Sequence, residues 1–176
     1  MKTELTEQYR AGLAMLADCI QKCPDELWNS PNPMWDDGDR IIYRPFWRIA
    51  FHAVYFTHLY MGQGVEVFQP WPGLKSQRFE ALWDGSSDIE PMEYPEDIEP
   101  MPKEQMLDYI KWLSEGTEHT IEALDLESPS SGFPWYPKLN KLSHELLNLR
   151  HLQGHVGQLS ELLIARGIES AWISKG

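Results

Sequence analysis

Two histidines four residues apart, His151 and His155, have the residue type and the spacing of metal ligands. An α-helix turns about 100° per residue, so side chains four positions apart project from nearly the same side of the helix. Both imidazoles can therefore reach one divalent ion, and imidazole nitrogen is a common ligand of such ions. The same spacing also occurs on helices without a metal, where each ring bonds to a carbonyl group or a neighbouring side chain.

A third ligand has to come from another helix, and His52 is the best candidate. It lies in an apolar stretch, on the same helical face as Ile49 and Phe56, and is expected to point into the protein. His58 is six residues further along, about 120° away around the helix, and cannot share this face. His119 stands among charged neighbours and is not expected to bind the metal.

Three further polar residues, His144, Asn148 and Gln158, lie near the expected metal site. His144 shares the face of His151 and can serve either as a fourth ligand or as a neighbour that orients the ligands. Two helical turns span about 10.5 Å, which is long for three ligands from one helix, so His52 is preferred as the third ligand. Asn148 and Gln158 are expected to orient a substrate or bound water, or to form hydrogen bonds inside the protein. No residue is assigned as the catalytic acid or base.

Four long amphipathic helices are predicted to carry these residues. Apolar side chains recur at steps of three and four in residues 3–22, 45–61, 102–126 and 140–166. Pro45 and Pro102 suit the start of a helix, Asn140 is expected to cap the last one, and Gly167 to end it. No segment shows the alternation typical of a half-buried strand. The chain is therefore predicted to be all-α, a helical bundle forming a single domain over residues 1–176.

The last helix and the connections between helices lead to further expectations. The connection between the second and third long helices, residues 65–101, is rich in proline, tryptophan and acidic residues, with at most one short helix near 76–83. A loop of that length is usually functional or interfacial.

The last long helix has two further notable features. Gly154, between His151 and His155, loosens the helix and would fit either close packing or room for a ligand. The buried stripe of the last helix is expected to be Leu142, Leu146, Leu149, Leu152, Val156, Leu159 and Leu163.

Composition argues against several classes of function. The chain has 27 acidic and 15 basic residues, a formal net charge of −12, and no run rich in lysine or arginine. Neither nucleic acid nor an anionic membrane surface is therefore an expected partner. There is no run of about 18 apolar residues and no leader-like pattern near Met1, and the two cysteines, Cys19 and Cys23, are too few to staple the chain. A soluble, cytoplasmic protein acting on a small molecule is expected.

These residues together resemble a known family. An inward histidine on the second long helix, followed on the fourth by the motif His-x-x-x-His-x-Gly-Gln-Leu that begins at His151, is similar to the DinB-like (YfiT-like) metalloenzymes. The order and lengths of the helices agree over nearly the whole chain, although the connection over 65–101 is longer than in a minimal member. The resemblance implies a metal triad of His52, His151 and His155. It also implies an up-down-down-up four-helix bundle with long connecting loops, often a homodimer.

Three neutral imidazoles leave one position of a tetrahedral ion open, which is typical of catalytic rather than structural zinc sites. Such a site lowers the pKa of bound water or binds a thiol as thiolate. Zn(II) is the favoured ion, with Ni(II), Mn(II) or Fe(II) as alternatives. With the low-molecular-weight thiol cosubstrate that the resemblance implies, the expected function is a metal-dependent enzyme, a thiol-dependent S-transferase or a hydrolase. The alternative is a non-catalytic metal-binding or structural bundle that acts through a partner.

Overall fold

The computed structural model describes residues 1–30, 33–36, 41–43, 45–74 and 99–176 of the chain. Over these ranges the protein is predominantly α-helical, as predicted. No helix in them is both long and apolar enough to cross a lipid bilayer. The short helix expected near residues 76–83 lies outside the described residues.

Within the described ranges, the fold contains four long helices and one single-turn helix. They are α1 (Lys2–Lys22), the single turn α2 (Asp25–Trp28), α3 (Phe46–Met61), α4 (Lys103–Ala123) and α5 (Lys141–Ile164). A 3-10 turn, Val65–Val67, follows α3. The long helices begin and end within three residues of the positions predicted from sequence.

The ends of α5 show why the sequence signals located the helices well. The side-chain oxygen of Asn140 accepts a hydrogen bond from the backbone N–H of Ser143 at 2.8 Å, which satisfies one of the free donors of the first turn. At the other end Gly167 has a φ of 73°, a left-handed conformation that glycine adopts without steric cost. The N–H of Ile168 then bonds back to the carbonyl of Leu163 at 3.1 Å, which ends the helix.

One short antiparallel strand pair departs from the prediction that no segment forms a strand. Strand β1 (Pro33–Asp36) pairs with strand β2 (Ile41–Tyr43), with Trp35 opposite Ile42. β-branched and aromatic residues favour this conformation. Strands of three or four residues, however, are too short for a period of two to stand out in a sequence.

The main packing contacts of the described structure are those between the long helices. Helix α3 packs against α5 and α4, and α1 packs against α4 and α5. The Lys2 ammonium at the start of α1 donates to the carbonyl of Glu122 at the end of α4, 2.7 Å away. Lys141 at the start of α5 donates to the carbonyl of Gly62, directly after α3. The packing of α3 against α5 brings together the two helices that carry His52, His151 and His155.

The inward face of α5 differs from the predicted apolar stripe. Its second half is buried as expected, and Leu142 and Leu149 are half-buried, but the side chain of Leu146 is 55% exposed. Polar residues take the inward positions of the first half of the helix. They are spaced three and four apart and all are fully buried: Lys141, His144, Glu145 and Asn148. The period-based prediction failed there because contacts between helices offset part of the cost of burial. Glu145 accepts a hydrogen bond from Tyr9 on α1, and Asn148 donates one to the Thr57 carbonyl on α3.

Candidate metal centre

Three histidines from two helices meet at the seam between α3 and α5. The Nε2 atom of His151 lies 3.0 Å from the Nε2 atom of His52 and 3.0 Å from that of His155. The ligand atoms that the three rings offer all lie within 4.8 Å of one another. These are the three histidines selected from the sequence, and together they form a group that could hold a metal ion.

Helix packing explains why these side chains converge. His151 and His155 stand one turn apart on α5, and their ring centroids are 4.5 Å apart. His52 reaches them across the seam, with its ring centroid 5.1 Å from that of His151 and 4.7 Å from that of His155. A polar link holds the same seam further along, where the Asn148 amide donates to the Thr57 carbonyl at 3.0 Å.

The hydrogen-bonding capacity of the rings tests whether a metal fits. An imidazole nitrogen carries one proton or one lone pair, so Nε2 of His151 can form a linear hydrogen bond with only one of its two neighbours. A divalent ion would instead accept the lone pairs of all three Nε2 atoms. Two nitrogens bound about 2.0–2.1 Å from a tetrahedral ion are about 3.3 Å apart, close to the spacing seen here. The donor set therefore fits a divalent ion.

Gln158 fixes the tautomer of His155, one of the candidate ligands. The Nδ1 atom of His155 lies 2.8 Å from the Oε1 atom of Gln158, and this amide oxygen can only accept a hydrogen bond. The proton of neutral His155 therefore belongs on Nδ1, which leaves the Nε2 lone pair free to bind an ion. Hydrogen bonds of this kind orient histidine ligands in metalloproteins and raise their basicity.

The protonation state of His151 also suits a ligand. Burial in the seam, followed by the neighbouring His155, lowers the pKa of His151 to about 4. His151 is therefore neutral at physiological pH, the form in which imidazole binds metal.

Aromatic rings surround the triad on the α3 side. The Phe56 ring lies 4.4 Å from the His52 ring and 6.1 Å from the His151 ring, measured between centroids. The Tyr60 ring, 6.3 Å from that of His151, continues this wall towards Tyr136. Burial, followed by Tyr136, raises the pKa of Tyr60 well above its usual value, so Tyr60 keeps its proton at neutral pH. The wall is consequently apolar and uncharged.

His144 lies apart from the triad, although it shares a helix with two of its members. Its ring is fully buried and stacks on the Phe133 ring at 4.6 Å, with Tyr136 and Tyr60 at 5.3 and 5.2 Å. Within the described ranges, the histidine group that could hold an ion does not include His144. The aromatic residues of the loop before α5 enclose it instead.

The first half of α5 contains a buried ion pair that was not predicted from the sequence. Lys141 and Glu145 form an ion pair of 2.8 Å, and neither side chain is exposed. The hydroxyl group of Tyr9 on α1 donates to the Glu145 carboxylate at 2.6 Å. The sequence contained one signal, a lysine and a glutamate four residues apart on the histidine-bearing helix, but this spacing usually marks an exposed pair.

The other histidines lie elsewhere. His58 contacts the Tyr109 hydroxyl through Nδ1 at 2.7 Å and borders a cavity of about 720 Å³ between α3 and α4. His119 is exposed at the rim of the same cavity, whose lining contains no member of the triad.

The two cysteines are buried and form no disulfide with each other. Burial raises the pKa of both thiols, Cys19 and Cys23, to about 11. They are therefore protonated at neutral pH, and a protonated thiol is a poor nucleophile.

Comparison of the chain with models of known protein families, with characterised proteins and with solved structures found no match. The residues of the site itself therefore carry the functional assignment.

Proposed function

We propose that the protein binds one divalent metal ion, with Zn(II) favoured, through His52, His151 and His155, and uses it to transform a small molecule. The proposed class of reaction is thiol-dependent S-transfer or hydrolysis. One observation carries the proposal: the Nε2 atom of His151 lies 3.0 Å from the Nε2 atoms of two other histidines. Side chains from two separate helices supply these atoms, which is unlike a chance pair on one surface helix.

The chain's own residues prepare this site in three ways. Burial keeps His151 neutral, and Gln158 holds the proton of His155 on Nδ1. Phe56 and Tyr60 form an uncharged wall that reduces contact with water and suits an apolar part of a substrate. When bound, a divalent ion with an open position supplies a Lewis acid that lowers the pKa of a bound water or thiol.

The proposed fold is the up-down-down-up bundle of the DinB-like metalloenzymes. Contacts at the helix ends support this order. Lys2 at the start of α1 meets Glu122 at the end of α4, so these two helices run in opposite directions. Lys141 at the start of α5 meets Gly62 after α3, whereas Tyr9 and Glu145, both early in their helices, lie side by side.

The second candidate is a non-catalytic protein in which the ion stabilises the α3–α5 seam. The surroundings of the triad favour it, because the described rings nearest the histidines belong to Phe56 and Tyr60, neither of which acts as a base at neutral pH. In this case the metal would raise stability without supporting turnover.

Elemental analysis of protein purified without a histidine tag or chelator tests the metal site. We expect about one ion per chain in the wild type and its loss in His52→Ala and His155→Ala. His119→Ala is the matched control, because it removes an exposed histidine outside the triad. Wild-type protein that binds no ion after reconstitution with Zn(II), Ni(II), Mn(II) or Fe(II) would overturn the proposal.

Turnover assays separate the two candidates. The Zn(II)-loaded protein is incubated with low-molecular-weight thiols plus an electrophilic acceptor, and separately with ester and amide substrates, with metal-free protein as the control. Metal-dependent turnover that His155→Ala abolishes supports the enzyme. Full metal occupancy and a raised unfolding midpoint without turnover support the structural candidate.

A further inference from the structure

Six polar side chains form a cluster that is sealed from solvent beside the metal centre. This buried polar cluster joins α1, α3 and α5, and none of its side chains has any exposed surface. Its members are Tyr9, Thr57, Lys141, His144, Glu145 and Asn148. Burying six polar groups in one place is costly unless hydrogen bonds compensate.

One end of the buried polar cluster is built around the Glu145 carboxylate. Its Oε2 atom accepts a hydrogen bond from the Tyr9 hydroxyl at 2.6 Å, and its Oε1 atom lies 2.8 Å from the Lys141 ammonium in an ion pair, without a hydrogen-bond partner among the described residues. Burial raises the pKa of Tyr9 well above its usual value, as do the charge and hydrogen bond of Glu145, while a hydrogen bond from Asn148 opposes this rise. The Asn148 amide group therefore donates towards the Tyr9 oxygen, which donates in turn to Glu145.

The other end of the cluster is not satisfied. Among the described residues, the Oδ1 atom of Asn148 is buried without a hydrogen-bond partner, and so are Thr57 Oγ1 and both ring nitrogens of His144. Three residues along α5, the Nδ1 atom of the metal-site residue His151 is also buried and unpartnered within the described part of the chain. Buried polar atoms of this kind usually bond to an enclosed water.

The unpartnered atoms of Asn148 and His151 are chemically complementary. The Thr57 carbonyl can only accept a hydrogen bond, so the Asn148 nitrogen must face it, and Oδ1 is left as an acceptor. His151 needs its Nε2 lone pair for the ion, so its proton lies on Nδ1, which is then a donor. Side chains three residues apart on a helix have Cβ atoms about 5–6 Å apart, so their polar atoms can come within reach of one bridging water molecule.

We propose that Asn148 is a positioning residue for the metal ligand His151, with the His151 Nδ1–H group bonded to Asn148 Oδ1 through one enclosed water. The inference rests on the proposed metal site and adds a connection to the buried carboxylate. All the hydrogen bonds of this chain then run in one direction, towards Glu145. His151 Nδ1–H donates to the water, and the water donates to Asn148 Oδ1. The Asn148 amide donates to the Tyr9 oxygen, and the Tyr9 hydroxyl donates to the Glu145 carboxylate. Such a chain polarises each of its bonds in the same direction and makes the His151 ring a stronger ligand.

Zn(II) affinity, measured by competition with a chromophoric chelator, tests the proposal. Asn148→Leu removes the acceptor at similar volume, and we expect about 10- to 100-fold weaker Zn(II) binding. Thr117→Val is the matched control, because it removes a fully buried hydrogen bond to the Leu113 carbonyl on α4. It should lower stability without changing Zn(II) affinity.

A second variant covers the case in which Asn148→Leu fails to fold. Tyr9→Phe removes only the hydroxyl group that links Asn148 to Glu145, and we expect Zn(II) affinity to fall by a smaller factor, roughly 3- to 10-fold. Nuclear magnetic resonance of the Zn(II)-loaded wild type should show the His151 Nδ1–H proton in slow exchange with solvent. In Asn148→Leu, or in Tyr9→Phe to a lesser degree, this exchange should become faster.

The outcomes distinguish this inference from the proposed function. Wild-type protein without Zn(II) affinity overturns both. Wild-type protein that binds Zn(II), with folded Asn148→Leu and Tyr9→Phe variants that bind it equally tightly, overturns only the positioning role. A lowered unfolding midpoint in either variant, with Zn(II) affinity and His151 exchange unchanged, would show that the cluster serves stability alone.

Discussion

The Nε2 atoms of His52 and His151 lie 3.0 Å apart, although 99 positions separate these residues in the chain. The first belongs to α3 and the second to α5, and the packing of these two helices brings them together. Repulsion between two imidazole lone pairs at this distance needs a proton or an ion to offset it. The effects of metal, of protonation and of substitutions on the stability of the protein can be measured with the full chain.

Removal of metal should lower the stability of the protein. An ion bound only by the folded state stabilises that state by about 2.7 kcal/mol when the free ion is at a hundred times its dissociation constant. We expect the unfolding midpoint of the wild type to fall after treatment with a chelator and to recover with added Zn(II). The midpoint of His155→Ala should respond to neither, and an equal response in that variant would place the ion elsewhere.

Acidification should destabilise the metal-free protein, in part through His58. Burial lowers the pKa of His58 to about 4, from an ordinary value near 6.5. Between these pH values the unfolded chain binds a proton that the folded chain does not. The stabilisation is therefore complete above about pH 6.5 and lost as the pH falls towards 4, with a magnitude of about 3 kcal/mol.

Urea unfolding of the metal-free protein at pH 7 and pH 5 measures this effect. His58→Phe keeps an aromatic ring beside Tyr109 but cannot titrate, so its stability should depend less steeply on pH. The exposed His119 offers the control variant His119→Gln, whose pH dependence should equal that of the wild type. A slope unchanged in His58→Phe would mean that His58 is not held neutral by burial.

Two leucines that the sequence pattern treats alike should respond differently to substitution. Leu152 is buried at the contact of α5 with α1, whereas Leu146 is 55% exposed. We expect Leu152→Ala to lower the free energy of unfolding by about 2–5 kcal/mol. Leu146→Lys should change it by no more than about 0.5 kcal/mol. Urea unfolding measures the free energy of unfolding of both variants. A large loss of stability in Leu146→Lys would show that Leu146 belongs to the buried apolar stripe, as predicted from the sequence.

Replacement of Gly154 by alanine should stabilise the protein. A Cβ atom added at Gly154 meets nothing within 4 Å in the described structure, so neither close packing nor strain requires a glycine there. Alanine within a helix is favoured over glycine by about 1 kcal/mol. We expect Gly154→Ala to raise the unfolding midpoint with Zn(II) affinity unchanged. A loss of Zn(II) affinity in Gly154→Ala would instead indicate that a ligand needs the open space beside His151 and His155.

The amino-acid sequence by itself determined the local structure and was enough to select the candidate metal ligands. Helix ends could be predicted at Pro45, Asn140 and Gly167, because capping and backbone conformation depend on residues close in the chain. His151 and His155 could be paired for the same reason, since helix geometry alone sets the relation between positions four apart. His52 followed from its place on the apolar face of its own helix.

Only the tertiary structure decided which polar residues would be buried. The spacing of Lys141 and Glu145 is typical of an exposed ion pair, and Leu146 was expected in the buried stripe. A helical period shows that a helix has a buried side, but it does not show which residues of other helices lie opposite that side. The hydroxyl of Tyr9 and the carbonyl of Gly62, both distant in the chain, supply the hydrogen bonds that compensate the burial of Glu145 and Lys141. The position of His144 was decided in the same way, by the aromatic ring of Phe133 that stacks on it. Compensation of this kind depends on contacts between helices, which local periodicity does not encode.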